Sequence, residues 1–121
     1  MLHEKSLGSV RIISVDHESL IHTLKEKSIS IKADHPEIIK ILLFGSFSKG
    51  NFLPESDIDI LLIIEATDIP FLERKERFRP FFRDIPFDVN ILVYTKSEID
   101  LMHENGNLFI KDIFKEAIDL I

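Results

Sequence analysis

One run, Ile58-Asp59-Ile60-Leu61-Leu62-Ile63-Ile64, constrains this chain more than any other. Extended, it would place Ile58, Ile60, Leu62 and Ile64 on one face and Asp57, Asp59, Leu61 and Ile63 on the other, because strand side chains alternate with period 2. Beyond its acidic start both faces are apolar. Such a strand belongs in the middle of a sheet covered by helices. The polar chemistry is confined to the beginning, where Asp57 and Asp59 point the same way. Two like charges that close repel, and a fold tolerates them where something positive sits between them. Hard divalent cations, held by one or two carboxylates plus phosphate oxygens, are the usual occupant.

A second apolar run, Ile41-Leu42-Leu43-Phe44, leads into Gly45-Ser46, and ten residues separate that pair from Asp57. Gly-Ser at a strand end offers backbone N–H groups and a hydroxyl to phosphates. A third run, Phe87 to Tyr94, alternates Phe87, Val89, Ile91 and Val93 with Asp88, Asn90, Leu92 and Tyr94. If it neighbours the second strand, Asp88 lies beside the Asp57/Asp59 pair. Each piece also has a plainer reading. An isolated Asp-x-Asp at a strand start is usually a solvated turn, and Asp88 alone reads as an edge carboxylate; the joint spacing is what raises them to a site. Gly45-x₄-Gly50 is no P-loop, since Asn51-Phe52 follows where Lys-Ser/Thr is required. Lys49 divides between phosphate ligand and exposed loop lysine. Arg74, Lys75, Arg77, Arg79 and Arg83 read as a solvated helix face with Glu73 and Glu76. His3, His17, His22, His35 and His103 show no metal-ligand spacing and read as surface residues.

The remaining punctuation predicts alternating elements. Ser9 to Val15 is a weak edge strand, and Asp16 is the expected N-cap of a helix reaching about Ala33 with Leu20, Leu24 and Ile31 near one face. Asp34-His35-Pro36 ends it, because the residue before proline is pushed out of the helical region. Strands follow at Ile38 to Phe44 and Asp57 to Ile64. A helical stretch runs from Phe71 to about Arg83, kinked at Pro80, before the strand Phe87 to Tyr94. A short helix, Ser97 to Glu104, stops at Asn105-Gly106. An amphipathic helix from Asn107 to Ile121 closes the chain, with Phe109, Ile113, Phe114, Ala117 and Ile118 on one face.

With 121 residues, the expectation is one domain with a self-supporting core. No cysteine is present, which excludes disulfides and thiolate metal sites. The N-terminus lacks the apolar core of a signal peptide and no apolar run approaches membrane-spanning length, so a cytoplasmic protein is expected. A net charge of −6 argues against broad nucleic-acid binding.

Leu43-Phe44-Gly45-Ser46-Phe47-Ser48-Lys49-Gly50 followed by Pro54-Glu55-Ser56-Asp57-Ile58-Asp59-Ile60, with Asp88 in Pro86-Phe87-Asp88-Val89-Asn90-Ile91-Leu92-Val93, resembles the signature of the DNA polymerase β-like nucleotidyltransferase superfamily, and within it the minimal nucleotidyltransferase branch. The motif core spans residues 41 to 64, and the resemblance extends toward the chain's end. It implies an α/β (α+β) palm, a small mixed sheet flanked by helices, as a single nucleotidyltransferase domain over residues 1–121 with 1–15 as an N-terminal extension. It implies two Mg²⁺ ions (or Mn²⁺) on Asp57, Asp59 and Asp88, with Asp88 also helping to deprotonate the acceptor. Gly45 would admit the backbone to the triphosphate, Ser46 would hold the β- and γ-phosphates, and Lys49 would add charge to the leaving pyrophosphate. Many members carry Arg directly after Gly-Ser. This chain has Phe47 there, so Lys49 must supply any side-chain charge in that turn.

The implied reaction is transfer of a nucleoside monophosphate, AMP from ATP, to a hydroxyl acceptor. Small-molecule and tRNA-modifying members generally carry further domains for the acceptor. Short members similar to this one often pair with HEPN-domain toxins as the antitoxin half of a toxin–antitoxin system, neutralising the partner by binding, by transferring AMP to its tyrosine, or both. The first reading is therefore an ATP-using protein adenylyltransferase antitoxin. A non-catalytic binding module of the same fold is the second. A small-molecule nucleotidyltransferase acting as a homodimer is the third. A glycosyltransferase Asp-x-Asp is disfavoured, since those domains are far larger.

Overall fold

The three alternating apolar runs form adjacent strands in the computed structural model, which describes residues 17–50 and 56–121, and residues 2–7 and 10–15 as backbone strands. In chain order, β1 (Leu2–Leu7) and β2 (Val10–Val15) pair antiparallel in a sheet of their own. Then come α1 (His17–Asp34), β3 (Ile38–Phe44), the one-turn helix α2 (Ser46–Lys49) and β4 (Ile58–Ile64). The one-turn helix α3 (Phe71–Arg74) runs into two 3₁₀ turns, Lys75–Arg77 and Arg79–Phe82. The chain continues through β5 (Val89–Thr95), α4 (Lys96–Glu104) and α5 (Leu108–Glu116) to the two-residue strand β6 (Ile118–Asp119).

The main sheet has the order β5-β4-β3-β6. β4 lies antiparallel to β3 and parallel to β5, while β6 runs antiparallel to β3, so the sheet is mixed. β4 is central and buried on both faces. Ile58, Ile60, Leu62 and Ile64 pack with Leu20, Leu24 and Ile31 of α1 and with Phe78, Phe82 and Ile85. Leu61 and Ile63 pack on the opposite face with Ile99 of α4 and Ile110 and Ile113 of α5. Helices thus cover both faces of the sheet, as the two-faced apolar run requires. Among the described residues, no helix is long and apolar enough to cross a membrane.

Several expectations shift in detail. Asp57 and Asp88 each sit one residue before their strands, not inside them. The expected strand Ser9–Val15 falls on β2 from Val10 onward, whose partner is β1; Ser9, and Asp16, the expected cap of α1, lie outside the described residues. The stretch from Phe71 to Arg83 is broken helix, with Pro80 in the first turn of the second 3₁₀ segment. Arg74 is not on a solvated face: it is 8% exposed. Its Nε donates to the Ile69 carbonyl at 2.8 Å, and its Nη1 donates to the Val93 carbonyl at 3.1 Å and to Glu98 Oε1 at 2.6 Å. The flanking arginines stay outside, Arg79 pairing with Glu76 at 3.2 Å and Arg77 with Glu37 at 3.6 Å.

The C-terminal helix is shorter than its apolar periodicity suggests. Asn107 caps α5 by accepting from the Ile110 N–H at 3.0 Å, but the helix ends at Glu116 and Ala117 is extended, with φ −67° and ψ 153°. Ile118 and Asp119 then pair with Leu43 and Leu42 of β3, and the Leu120 N–H donates to the Ile41 carbonyl at 2.9 Å. The edge of β3 would otherwise expose unpaired backbone groups, and the alternation Ile118-Asp119-Leu120 lets the tail pair there while Leu120 enters the α1-side core.

Candidate functional site

The site is built where β3 ends and β4 begins. Phe44 of β3 stands opposite Asp59 of β4, and Asp59 stands opposite Asn90 of β5. By strand alternation Asp59 shares its face with Leu61 and Ile63, and Asn90 shares its face with Leu92 and Tyr94. Leu61 and Ile63 belong to the core beneath α4 and α5, and Leu92 and Tyr94 pack against it. The polar groups therefore open on the helix α5 side, at the end of the sheet where β4 and β5 start.

Gly45 makes the turn that follows β3. It has φ 76° and ψ −155°, a region essentially reserved for glycine. A Cβ at this position would lie inside the van der Waals envelope of Asp59 Oδ2 and 3.2 Å from Asp59 Cγ. The backbone and the second carboxylate are thus in direct apposition. α2 follows at once, with Ser48 Oγ donating to the Gly45 carbonyl at 2.8 Å and the Lys49 N–H donating to the same oxygen at 3.3 Å. Ser46 opens this turn and is half-buried. Phe47 is fully buried, its ring 5.2 Å from Phe87 in an edge-to-face arrangement. His17 Nε2 sits 2.5 Å from the Phe47 carbonyl. The residue that replaces a basic side chain in the motif is therefore a core anchor that fixes the turn from below.

Asn90 ties the acidic pair together, its Nδ2 donating to Asp57 Oδ2 at 3.2 Å and to Asp59 Oδ1 at 3.1 Å. Asp59 has its carboxyl raised above the ordinary value of 3.8, first by burial and further by the charge of Asp57, against the lowering effect of the Asn90 hydrogen bond. Asp88 is exposed, and its carbonyl accepts from the Ile58 N–H at 2.8 Å, so its backbone extends the β4–β5 ladder by one link. Asp57 and Asp59 are brought together; among the described residues no set of three acidic or histidine side chains stands together as a ready metal cluster. Even so, the donors fit a hard cation: two aligned carboxylates, all-oxygen chemistry, and a glycine surface with no Cβ crowding Asp59.

Beside this pair lies a cleft of about 240 Å³ between the Gly45 turn and α5. Phe44, Gly45, Ser48 and Lys49 line one wall, and Phe109, Asp112, Ile113 and Glu116 line the other. Lys49 Nζ and Glu116 Oε2 pair at 3.1 Å, both half-exposed. Sequence reasoning named Lys49 but not its partner, because only the packing of α5 brings Glu116 within reach. Asn90 shares its alternation phase with Asp88 in the sequence, but only the parallel register of β5 on β4 sets it beside the acidic pair.

The sequence pattern of the Polymerase beta, Nucleotidyltransferase family matches residues 26–121. Among solved structures, the chain is similar to a protein from Sulfolobus solfataricus given as a candidate nucleotidyltransferase, with TM-score 0.61 and 21% identity over 85% of this chain and 80% of that one. It is also similar to a structure described as a toxin–antitoxin with AMP-PNP, with TM-score 0.58 and 22% identity over 80% of this chain and 72% of that one. No curated protein matches at a significant level. The strand order, the Gly-Ser turn and the Asp-x-Asp start of the central strand all lie within the matched span, and the chain belongs to the polymerase β-type nucleotidyltransferase family.

Proposed function

We propose that this chain is a divalent-metal-dependent nucleotidyltransferase that moves AMP from ATP onto a hydroxyl of a partner protein, as the antitoxin half of a toxin–antitoxin pair with a HEPN-type toxin. The observation that carries the reading is the apposition of Asp59, aligned with Asp57, against the Cβ-free surface of Gly45. Carboxylate oxygens that would take a cation thus stand next to a turn that would receive phosphates.

Asp57, Asp59 and Asp88 would hold two Mg²⁺ ions, with Mn²⁺ an alternative; such ions neutralise charge on the attacking and leaving oxygens of an in-line displacement at phosphorus. Ser46 and the N–H groups opening α2 would hold the β- and γ-phosphates. Lys49 would meet the leaving pyrophosphate once its exposed pairing with Glu116 opens, and such surface pairs are weak enough to exchange for a phosphate. Asp88 would accept the acceptor's proton. The remaining catalytic contribution is positioning. The toxin–antitoxin description of one structural neighbour, with its nucleotide analogue, supports the partner class.

The test is to incubate the protein with the product of the neighbouring gene, ATP and Mg²⁺, and to read the partner by intact-mass spectrometry. An added AMP in the presence of wild type, lost with Asp59→Asn, is the expected result. Neutralisation of the partner in cells by both proteins with no mass change would instead favour a binding module without catalysis.

A further inference from the structure

The bridging amide of Asn90 has a place in this site beyond the carboxylates themselves. Ionised carboxylates only accept hydrogen bonds, so the amide must turn its NH₂ group toward both of them. The oxygens it contacts, Oδ2 of Asp57 at 3.2 Å and Oδ1 of Asp59 at 3.1 Å, belong to the two carboxylates that would hold a cation. A cation takes oxygen ligands at about 2.0 to 2.6 Å. The polarised hydrogens of the amide and a divalent ion would therefore compete for the same two carboxylates. The Asn90 side chain is anchored opposite Asp59 in the β4–β5 ladder and lies at the exposed end of the sheet, so it can swing out without unpacking the core.

We propose that Asn90 is a positioning residue whose amide stands in for the cation in the metal-free protein, aligning Asp57 and Asp59 until an arriving ion displaces it. This rests on the metal reading given above. Its consequence is a coupling: the amide stabilises only the metal-free form, so removing it lowers the stability of that form and tightens cation binding by the same factor.

The experiment uses Asn90→Val, which suits a strand and has no donor, and Asn90→Ala as a second variant, with Mn²⁺ alone as the probe. Electron paramagnetic resonance titration without nucleotide is expected to show both variants binding Mn²⁺ roughly three- to tenfold more tightly than wild type, the size expected for losing two exposed hydrogen bonds to charged groups. Thermal unfolding should show a deficit for each variant without Mn²⁺ that shrinks when Mn²⁺ is saturating. A merely structural asparagine would leave that deficit the same with and without the ion. Unchanged or weaker Mn²⁺ binding in both variants, or a deficit indifferent to Mn²⁺, overturns the proposal. Asp59→Asn separates the two readings. If wild type binds no Mn²⁺, or Asp59→Asn binds it equally well, the metal reading falls and this inference with it. If Asp59→Asn abolishes binding while the Asn90 variants match wild type, only the role of Asn90 falls.

Discussion

At Gly45 two constraints coincide, a backbone with φ 76° and ψ −155° and a neighbouring carboxylate that occupies the space of any Cβ. The motif resemblance accounts for this glycine by the approach of a triphosphate. The structure adds an obligation that holds before any nucleotide arrives. Gly45→Ala is therefore expected to cost about 1–3 kcal/mol from the backbone conformation alone, and to push Asp59 out of alignment. Thermal unfolding combined with Mn²⁺ titration checks this: both the melting temperature and the affinity should fall. A lower melting temperature with unchanged affinity would mean that Asp59 keeps its place without the glycine. Phe47 beside it carries the complementary lesson. Its burial against Phe87 is incompatible with a phosphate contact, so any side-chain charge in the turn must come from Lys49.

At the element scale, α4 is secured at its start from two directions. Thr95 Oγ1 accepts from the Glu98 N–H at 3.2 Å while Glu98 Oε1 accepts from the Thr95 N–H at 2.7 Å, a reciprocal capping box. Glu98 also takes the Arg74 guanidinium in a two-pronged contact at 2.6 and 3.2 Å, which ties α3, the end of β5 and α4 together. Its carboxyl is held below the ordinary value of 4.5, first by the Arg74 hydrogen bond and then by those from Thr95, against the opposing effect of burial. A folded-state value below the unfolded one contributes stability that is fully present above the unfolded value and lost as pH falls through the folded one. Glu98→Gln should thus cost about 1–2 kcal/mol at neutral pH, less than for a fully buried pair because the Glu98 side chain is 39% exposed. The difference from wild type should narrow once the pH falls below 4.5. Denaturant unfolding across that range measures it, and a constant difference would mean that packing, not the ion pair, is responsible.

Over the whole molecule, the sheet and its core draw on Ile118 to Leu120 at the far end of the sequence. β6 completes the sheet on the β3 side, and Leu120, 2% exposed, joins the cluster formed by α1 and the even face of β4. Leu120→Ala should cost about 2–4 kcal/mol, as for other buried leucines. Asp119→Ala, on the exposed side of the same strand, should stay within about 0.5 kcal/mol. Chemical denaturation of the two variants checks the contrast, and similar losses at both positions would show that the tail is held by its backbone pairing and not by Leu120.

The sequence by itself determined the central strand, the covering helices, the Gly-Ser turn and the acidic pair, because alternation, helical period and turn chemistry are all local. Leu20, Leu24 and Ile31 of α1 and the two-faced run of β4 were legible for that reason. Tertiary structure alone decided what depends on distant partners. The inward turn of Arg74 needed the Val93 carbonyl and Glu98 to receive it. The early end of α5 needed the open edge of β3, since the helical period of Ile113, Ala117 and Ile118 is the same whether or not a strand waits beside it. The Lys49–Glu116 pair needed α5 to pack against the turn. Asn90 became part of the site only when the parallel register set it opposite Asp59, because which residue faces which across a ladder is fixed by pairing that no single strand encodes.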